Sequence, residues 1–378
     1  MSTPVTAFAP ATPVLETARI WALHLLCFVL PVTCLVFGIT APHPWWVALP
    51  FLLVIVGSVL ADINSPRERR QPAPTLPRRP FDALLYVLSA LQFVNVALLV
   101  RVVALHGFWR MDTLVGLLLV GVNSGYSAIV VAHELIHRAE WHRQQLGRLL
   151  LCTVLYEHFA TEHIRGHHSR VGTPEDPATA RYGETAIAFF VRTVPAQFRS
   201  AWRLEKKRLG DEQMPWRDAR MLRNRLVHGI VVEWSVALAI LAALGVGAFV
   251  IYVLQALSGV RLLEAVNYFE HYGLTRTTRK VQPIDSWDTD SWFTLYTLVG
   301  LSRHADHHAH ASRPYQQLRY FAESPKLRHG YFGTVVWLLL DNAAFRAAMA
   351  RELERRGLGP FTRDATAVSP ELSQLTLM

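Results

Sequence analysis

Cysteine is nearly missing from this chain: three in 378 residues, Cys27, Cys34 and Cys152, with no CxxC pair among them. That scarcity excludes a disulfide framework and an iron–sulfur site within the chain. Any electrons the protein uses must come from another protein. Internal repeats and low-complexity tracts are also missing, which excludes solenoids and compositionally disordered arrays. The first apolar run lacks a basic n-region and an A-x-A site, so it reads as a span and not as a cleaved signal.

What is abundant is apolar sequence. Hydrophobic residues make up 51% of the chain, with 11 Trp and 18 Phe. Ile20–Gly38, Trp45–Leu60, Ala83–Leu99, Thr113–Ala132, Val227–Ala242 and Leu244–Val266 each approach the ~20 residues that cross hydrocarbon. Six spans predict an all-α polytopic membrane protein. The Arg-rich segments fall after spans two, four and six: ADINSPRERRQPAPTLPRRP, Arg138–Arg225, and the tail beyond Tyr272. Basic loops stay inside, so both termini are expected in the cytoplasm. The net charge of +9 follows from that loop rule, and it also suits docking of an acidic protein.

The whole chain, 1–378, reads as one integral-membrane domain. Residues 1–18 form a loose leader, 133–226 and 269–340 a cytoplasmic cap, and 341–378 a C-terminal tail. Within the cap, LGRLLLCTVLYEHFATEHIRGHH has a helical period and is expected to pack under the spans. AIAFFVRTVPAQFRSAWRLEKKRL reads as an amphipathic helix, either at the interface or as an ordinary cap helix.

The chemistry lies in grouped histidines. His133 and His137 sit in HELIH, His163, His167 and His168 in EHIRGHH, His304, His307 and His308 in RHADHH, and His271 in NYFEHYG. Spacings of three and four put imidazoles on one helix face. One HxxxH pair is weak evidence; three groups at the cytoplasmic ends of spans are strong. Nine nitrogen donors exceed one tetrahedral zinc and suit two ions with four or five imidazoles each. Imidazole alone does not choose between iron, zinc and copper. HELIH also fits the zinc-protease signature with Glu134 as base, but such a site has no use for seven further histidines. Glu134, Glu162, Glu270 and Asp306 flank cluster histidines and are candidates to accept the outer N–H of ligating rings. Asp176, beside Glu175 in TPEDPATARYGE, could serve likewise or bracket a turn through the two prolines. His310 lies off the last cluster's face, and His158 is the ungrouped histidine nearest to a cluster.

Together HELIH, EHIRGHHSRVGTPEDPA, NYFEHYGL and LSRHADHHAH followed by YQQLRY resemble the integral-membrane non-haem di-iron alkane 1-monooxygenases, from about residue 80 to 340. HYG separates this branch from fatty-acyl desaturases. The resemblance implies two iron ions held by the nine histidines, and O2-dependent hydroxylation of a terminal methyl. It also implies electrons from rubredoxin, itself reduced by an NADH-dependent reductase; the cysteine count leaves no rubredoxin within this chain. An apolar hydrocarbon is expected to enter from membrane lipid, past residues such as Val130, Val131 and Phe269. Two motifs depart from the family pattern: PIDSWDTDSW lacks the histidine of an H-x-SWN-like segment, and LSRHADHH replaces the commoner LQRHSDHH. Both leave the ligands in place and bear on substrate range. The competing readings are oxidation of aromatic or terpene methyl groups, lipid desaturation, and membrane metal binding or transport.

Overall fold

The computed structural model describes residues 13–73 and 76–362; the first twelve residues of the expected leader and residues 363–378 of the expected tail lie outside them. Six helices are long and apolar enough to cross a membrane: Val14–Thr40, Trp45–Ile63, Arg79–His106, Met111–Ile136, Arg225–Leu244 and Val246–His271. They are spans 1 to 6 below, and each corresponds to one of the expected apolar runs. Among the described residues there is no strand beyond two isolated bridges. This is a multi-pass, helical membrane protein.

Several helices outrun the bilayer. Span 3 has 28 residues and span 6 has 26, roughly 40 Å each at 1.5 Å per residue against a ~30 Å hydrocarbon core. The excess carries span 6 to His271 itself, which sits on its last turn and not after it.

Span 4 is the centre of the bundle, with 72% of its apolar window buried, and span 2 is its edge, with 11%. Span 4 packs on spans 1, 3 and 6. Its approach to span 6 rests on small residues: a Cβ on Gly121 would fall 2.8 Å from that of Ser258, and one on Gly125 would fall 3.2 Å from that of Leu262. In lipid, where no hydrophobic force drives helices together, such backbone proximity supplies the packing energy. Buried polar side chains add hydrogen bonds from span 4 to span 3 and to span 6 in turn. Asn123 Nδ2 donates to Gln92 Oε1 (2.9 Å), and Ser124 Oγ donates to Gln255 Oε1 (2.6 Å).

The expected helix through LGRLLLCTVLYEHFATEHIRGHH is broken. Trp141–Cys152 is helical, the chain turns, and helix resumes over 159–170 with a wider π turn at His163–His167. A second π turn, Ser124–Val130, lies in span 4 just before His133. The amphipathic segment forms helix Ala186–Arg208, but its buried face is largely polar: Thr193, Gln197, Ser200 and Glu205 turn inward while Ile187 and Val191 are exposed. Gln197 explains the inversion, since its Nε2 donates to Glu264 on span 6 at 2.9 Å.

After span 6 the chain folds back as two short helices, Trp292–Thr297 and His304–Ala309, followed by an apolar one, Tyr331–Leu340, too short to cross. Tyr331–Leu340 packs on span 2, and helix Asn342–Arg356, within the expected tail, packs on it through Phe345. Asp62, at the end of span 2, ties these pieces together. It accepts from Ser291 Oγ (2.7 Å), Thr294 Oγ1 (2.6 Å) and Gly333 N (2.9 Å). Asp62→Ala leaves three buried donors without an acceptor, each worth about 1–3 kcal/mol. The variant is expected to melt well below the parent in the same detergent; an unchanged melting temperature would show that the clamp contributes nothing.

Candidate metal centre

The structure collects all nine clustered histidines at one end of the bundle, in two groups. His133, His137, His163, His168 and His307 form one; His167, His271, His304 and His308 form the other. Within each, the ligand atoms all lie within 4.8 Å of one another. Five and four matches the division that nine imidazoles and two ions suggest.

The membership differs from what helical spacing implies. His163 and His167, four apart, fall in different groups, while His163 and His168, five apart, share one. The π turn is the cause: its i→i+5 repeat brings the fifth residue, not the fourth, onto the same face. His304 and His308 share a group as an i, i+4 pair, but His307 turns toward the other. The segments 159–170 and His304–Ala309 thus serve both groups and hold them together. His168 and His308 stack across the boundary with ring centroids 4.4 Å apart.

The ring nitrogens fit cations. The Nε2 atoms of His133, His137, His167 and His308 are buried without a hydrogen-bond partner. Other pairs meet nitrogen to nitrogen: His163 with His168 at 3.0 Å, His168 with His307 at 3.1 Å, and His271 with His304 at 3.1 Å. Two ligands at right angles on a metal with ~2.1 Å bonds stand ~3.0 Å apart. Burial, reinforced by neighbouring imidazoles, holds His137, His163, His168, His304, His307 and His308 well below the usual 6.5, so their lone pairs are free.

The five flanking carboxylates divide. Asp176 faces the outer nitrogen of a cluster ring, with Oδ2 2.9 Å from His167 Nδ1, and it also accepts from Thr179 Oγ1 at 2.6 Å. Burial pushes the Asp176 carboxyl up, but His167 and Thr179 outweigh it and hold the group below its ordinary value. Glu134 instead accepts from Arg138 and from Tyr315 N (3.0 Å). Glu162 takes Arg170 Nη2 at 2.6 Å. Asp306 takes Arg313 and Arg319 N, the latter at 2.7 Å. These three fix the backbone around the histidines and do not touch the rings. Burial raises Glu162 to about 7, against the pull of Arg170. Glu270 stands inside: Tyr331 Oη donates to one oxygen, and the other lies 3.2 Å from His304 Nε2. His310 stays outside, with Nδ1 2.9 Å from Asp306 Oδ1, and His158 is buried against Tyr156 and Phe198, away from both groups.

Two cavities reach the centre. One, of about 280 Å³, is almost wholly apolar. Its inner end is His133, His163, His304 and Glu270, and its walls include Tyr126, Ile129, Val130, Leu263 and Val266. Ile55 and Val59 of span 2 face Phe332, Val335 and Leu339 along its outer part, and Leu339 is 53% exposed. The cavity therefore runs from the histidines to the lipid-facing surface. Of the three residues expected along such a path, Val130 lines it; Val131 and Phe269 do not, because each is fully packed on another face of its helix. The second cavity, about 420 Å³, has a lining of charged and apolar residues and reaches His137 past Arg78, Arg138, Arg148, Arg165 and Arg225.

Tyr126, Asp62 and the Tyr331–Leu340 helix were not singled out in the sequence; only the apolar run after RHG signalled the helix. Residues 108–335 match the fatty acid desaturase family, over more than half the chain. The chain belongs to that family. It is 33% identical over 322 residues to an alkane 1-monooxygenase 2 of Alcanivorax borkumensis, covering 81% of this chain and 80% of that one. It is 38% identical over 242 residues to alkane 1-monooxygenase 1 of Pseudomonas aeruginosa, spanning 62% of each. A xylene/toluene monooxygenase hydroxylase component of Pseudomonas putida is 24% identical over 54% of this chain and 55% of its own. An alkane 1-monooxygenase of Acinetobacter baylyi, 32% identical over 84% of this chain and 78% of its own, adds a third relative of that name.

Acid should undo the site even without metal. The six depressed imidazoles bind protons more readily when unfolded, so stability present above about pH 6.5 is lost as the pH falls below it. Metal-stripped protein is expected to show a flat melting temperature from about pH 8 to 6.5 and a steep fall toward pH 5. A flat profile throughout would mean that these rings are not neutral in the fold.

Proposed function

We propose that this chain is the hydroxylase of a membrane alkane 1-monooxygenase system, acting on the terminal methyl of an alkane. The observation that carries this reading is the apolar cavity, open toward lipid and closed by the histidine groups. The net reaction is R–CH3 + O2 + two electrons + two protons giving R–CH2OH + H2O. Two iron ions, ligated by His133, His137, His163, His168 and His307 and by His167, His271, His304 and His308, supply the oxygen chemistry when bound.

The protein supplies position and dryness. An alkane chain lies along Ile129, Val130, Leu263 and Val335, which offer it no polar partner, so only its end is held at His133 and His304. Tyr331 fixes the Glu270 carboxylate beside that end. Asp176 accepts the outer N–H of His167 and sets its tautomer. Electrons come from rubredoxin, reduced in turn by its NADH-dependent reductase. The arginine-lined cavity at His137 supports an acidic donor, which its charge would steer. The loop rule supports placing this face and both termini in the cytoplasm of a bacterial inner membrane. The whole of 1–378 is one domain in this reading, with 133–226 and 269–340 forming the catalytic cap.

Cells expressing the chain with rubredoxin and its reductase, fed n-alkanes, p-xylene and p-cymene under air, give the test. Primary alkanols that appear only with O2 are expected by gas chromatography. Benzylic alcohols without alkanols would move the substrate to the aromatic methyl class represented by the xylene/toluene relative. Alkenes would make the chain a desaturase, and bound metal with no product would overturn the enzymatic reading.

A further inference from the structure

A groove that adjoins the arginine-lined cavity, sharing Arg148 and Arg225 with it, lies between helix Trp141–Cys152 and the start of span 5. Its volume is about 380 Å³, and Arg148, Arg208, Arg223, Arg225 and His228 line it together with Leu149, Leu222 and Val232. Two features make it unlike an ordinary solvated surface. First, its cations are unevenly used. Arg148 is paired with Glu157 and Arg208 with Glu205, while the guanidinium groups of Arg223 and Arg225 form no ion pair or hydrogen bond among the described residues. Second, large apolar side chains stand exposed beside those charges: Trp141 at 73%, Leu222 at 77% and Leu149 at 47%. Arg225 opens span 5, so the groove lies where a span leaves hydrocarbon, the depth at which phosphate groups and the first acyl carbons of a lipid meet.

We propose that this groove holds an anionic phospholipid. Arg223 and Arg225 take the phosphate, and Trp141, Leu149 and Val232 take the upper acyl chains. Basic pockets between spans on the basic-loop side are suited to such headgroups. An acidic protein partner would satisfy the two arginines but would give the exposed apolar side chains of Leu149 and Val232 nothing to pack against.

The test uses the full chain in lipid nanodiscs made of equal parts phosphatidylcholine and phosphatidylglycerol, extracted with mild detergent. Native mass spectrometry then reads the phosphatidylglycerol that stays on the protein. Each guanidinium near a membrane surface strengthens anionic lipid binding about fivefold, so Arg223→Gln with Arg225→Gln is expected to lower retention by more than tenfold. Arg217→Gln, whose side chain covers Trp216 outside the groove, should leave it unchanged. If the double variant does not fold, Arg223→Gln alone carries the test, with an expected fivefold loss. Retention equal to the parent's in a folded variant would overturn the proposal. So would unchanged retention accompanied by weaker binding of reduced rubredoxin, which would assign the groove to a protein. Neither result depends on turnover, so each stands apart from the fate of the hydroxylase reading.

Discussion

Nine buried imidazole rings that turn their nitrogens toward one another are costly to hold without a cation between them. Each neutral ring has one N–H for two nitrogens, so the pairs at 3.0–3.1 Å can share a proton but the Nε2 atoms of His133, His137, His167 and His308 are left unpaired, and protonated rings would repel in a medium of low dielectric. A cation at each focus removes the conflict. Much of the remaining architecture can be understood as what keeps the rings aimed inward. Glu134, Glu162 and Asp306 clamp arginines and backbone amides around them, and the small residues of spans 4 and 6 let the two helix ends approach closely enough to set their histidines in adjacent groups.

The centre is reached from two sides with opposite chemistry. The apolar cavity between span 2 and Tyr331–Leu340 ends at His133, His163 and His304, and the arginine-lined one ends at His137. Under the proposed function, an apolar substrate and a charged partner enter separately, which keeps water away from the reacting end while leaving an edge of the centre open to solvent. Span 2 is suited to its part in this: it is buried over only 11% of its apolar window, so Asp62 must hold its inner end in place.

The six spans, the basic-loop asymmetry and the nine histidines were legible in the sequence because each is a local pattern: an apolar run, a charge count, a spacing. The partition of the histidines was not. It depends on the π turn at His163–His167, and nothing in HIRGH announces that an i→i+5 repeat will replace i→i+4. The polar inward face of Ala186–Arg208 was hidden for a related reason, since Gln197 is buried by a tertiary partner, Glu264, that lies 67 residues away. Asp176 was visible as a candidate but not separable from Glu175 until the fold brought it to His167. Val130 and Val131 are neighbours in sequence and ~100° apart around a helix, so only the structure could say which of them faces the cavity.

The central claim is that the two groups are separate metal positions held by five and four histidines. Metal analysis of purified variants, iron per chain by inductively coupled plasma mass spectrometry, tests it most directly. The parent should carry two irons per chain. His271→Ala with His304→Ala should retain about one, and so should His133→Ala with His137→Ala, each pair emptying its own group. Two irons persisting in either folded double variant, or a parent that binds only one, would contradict the account.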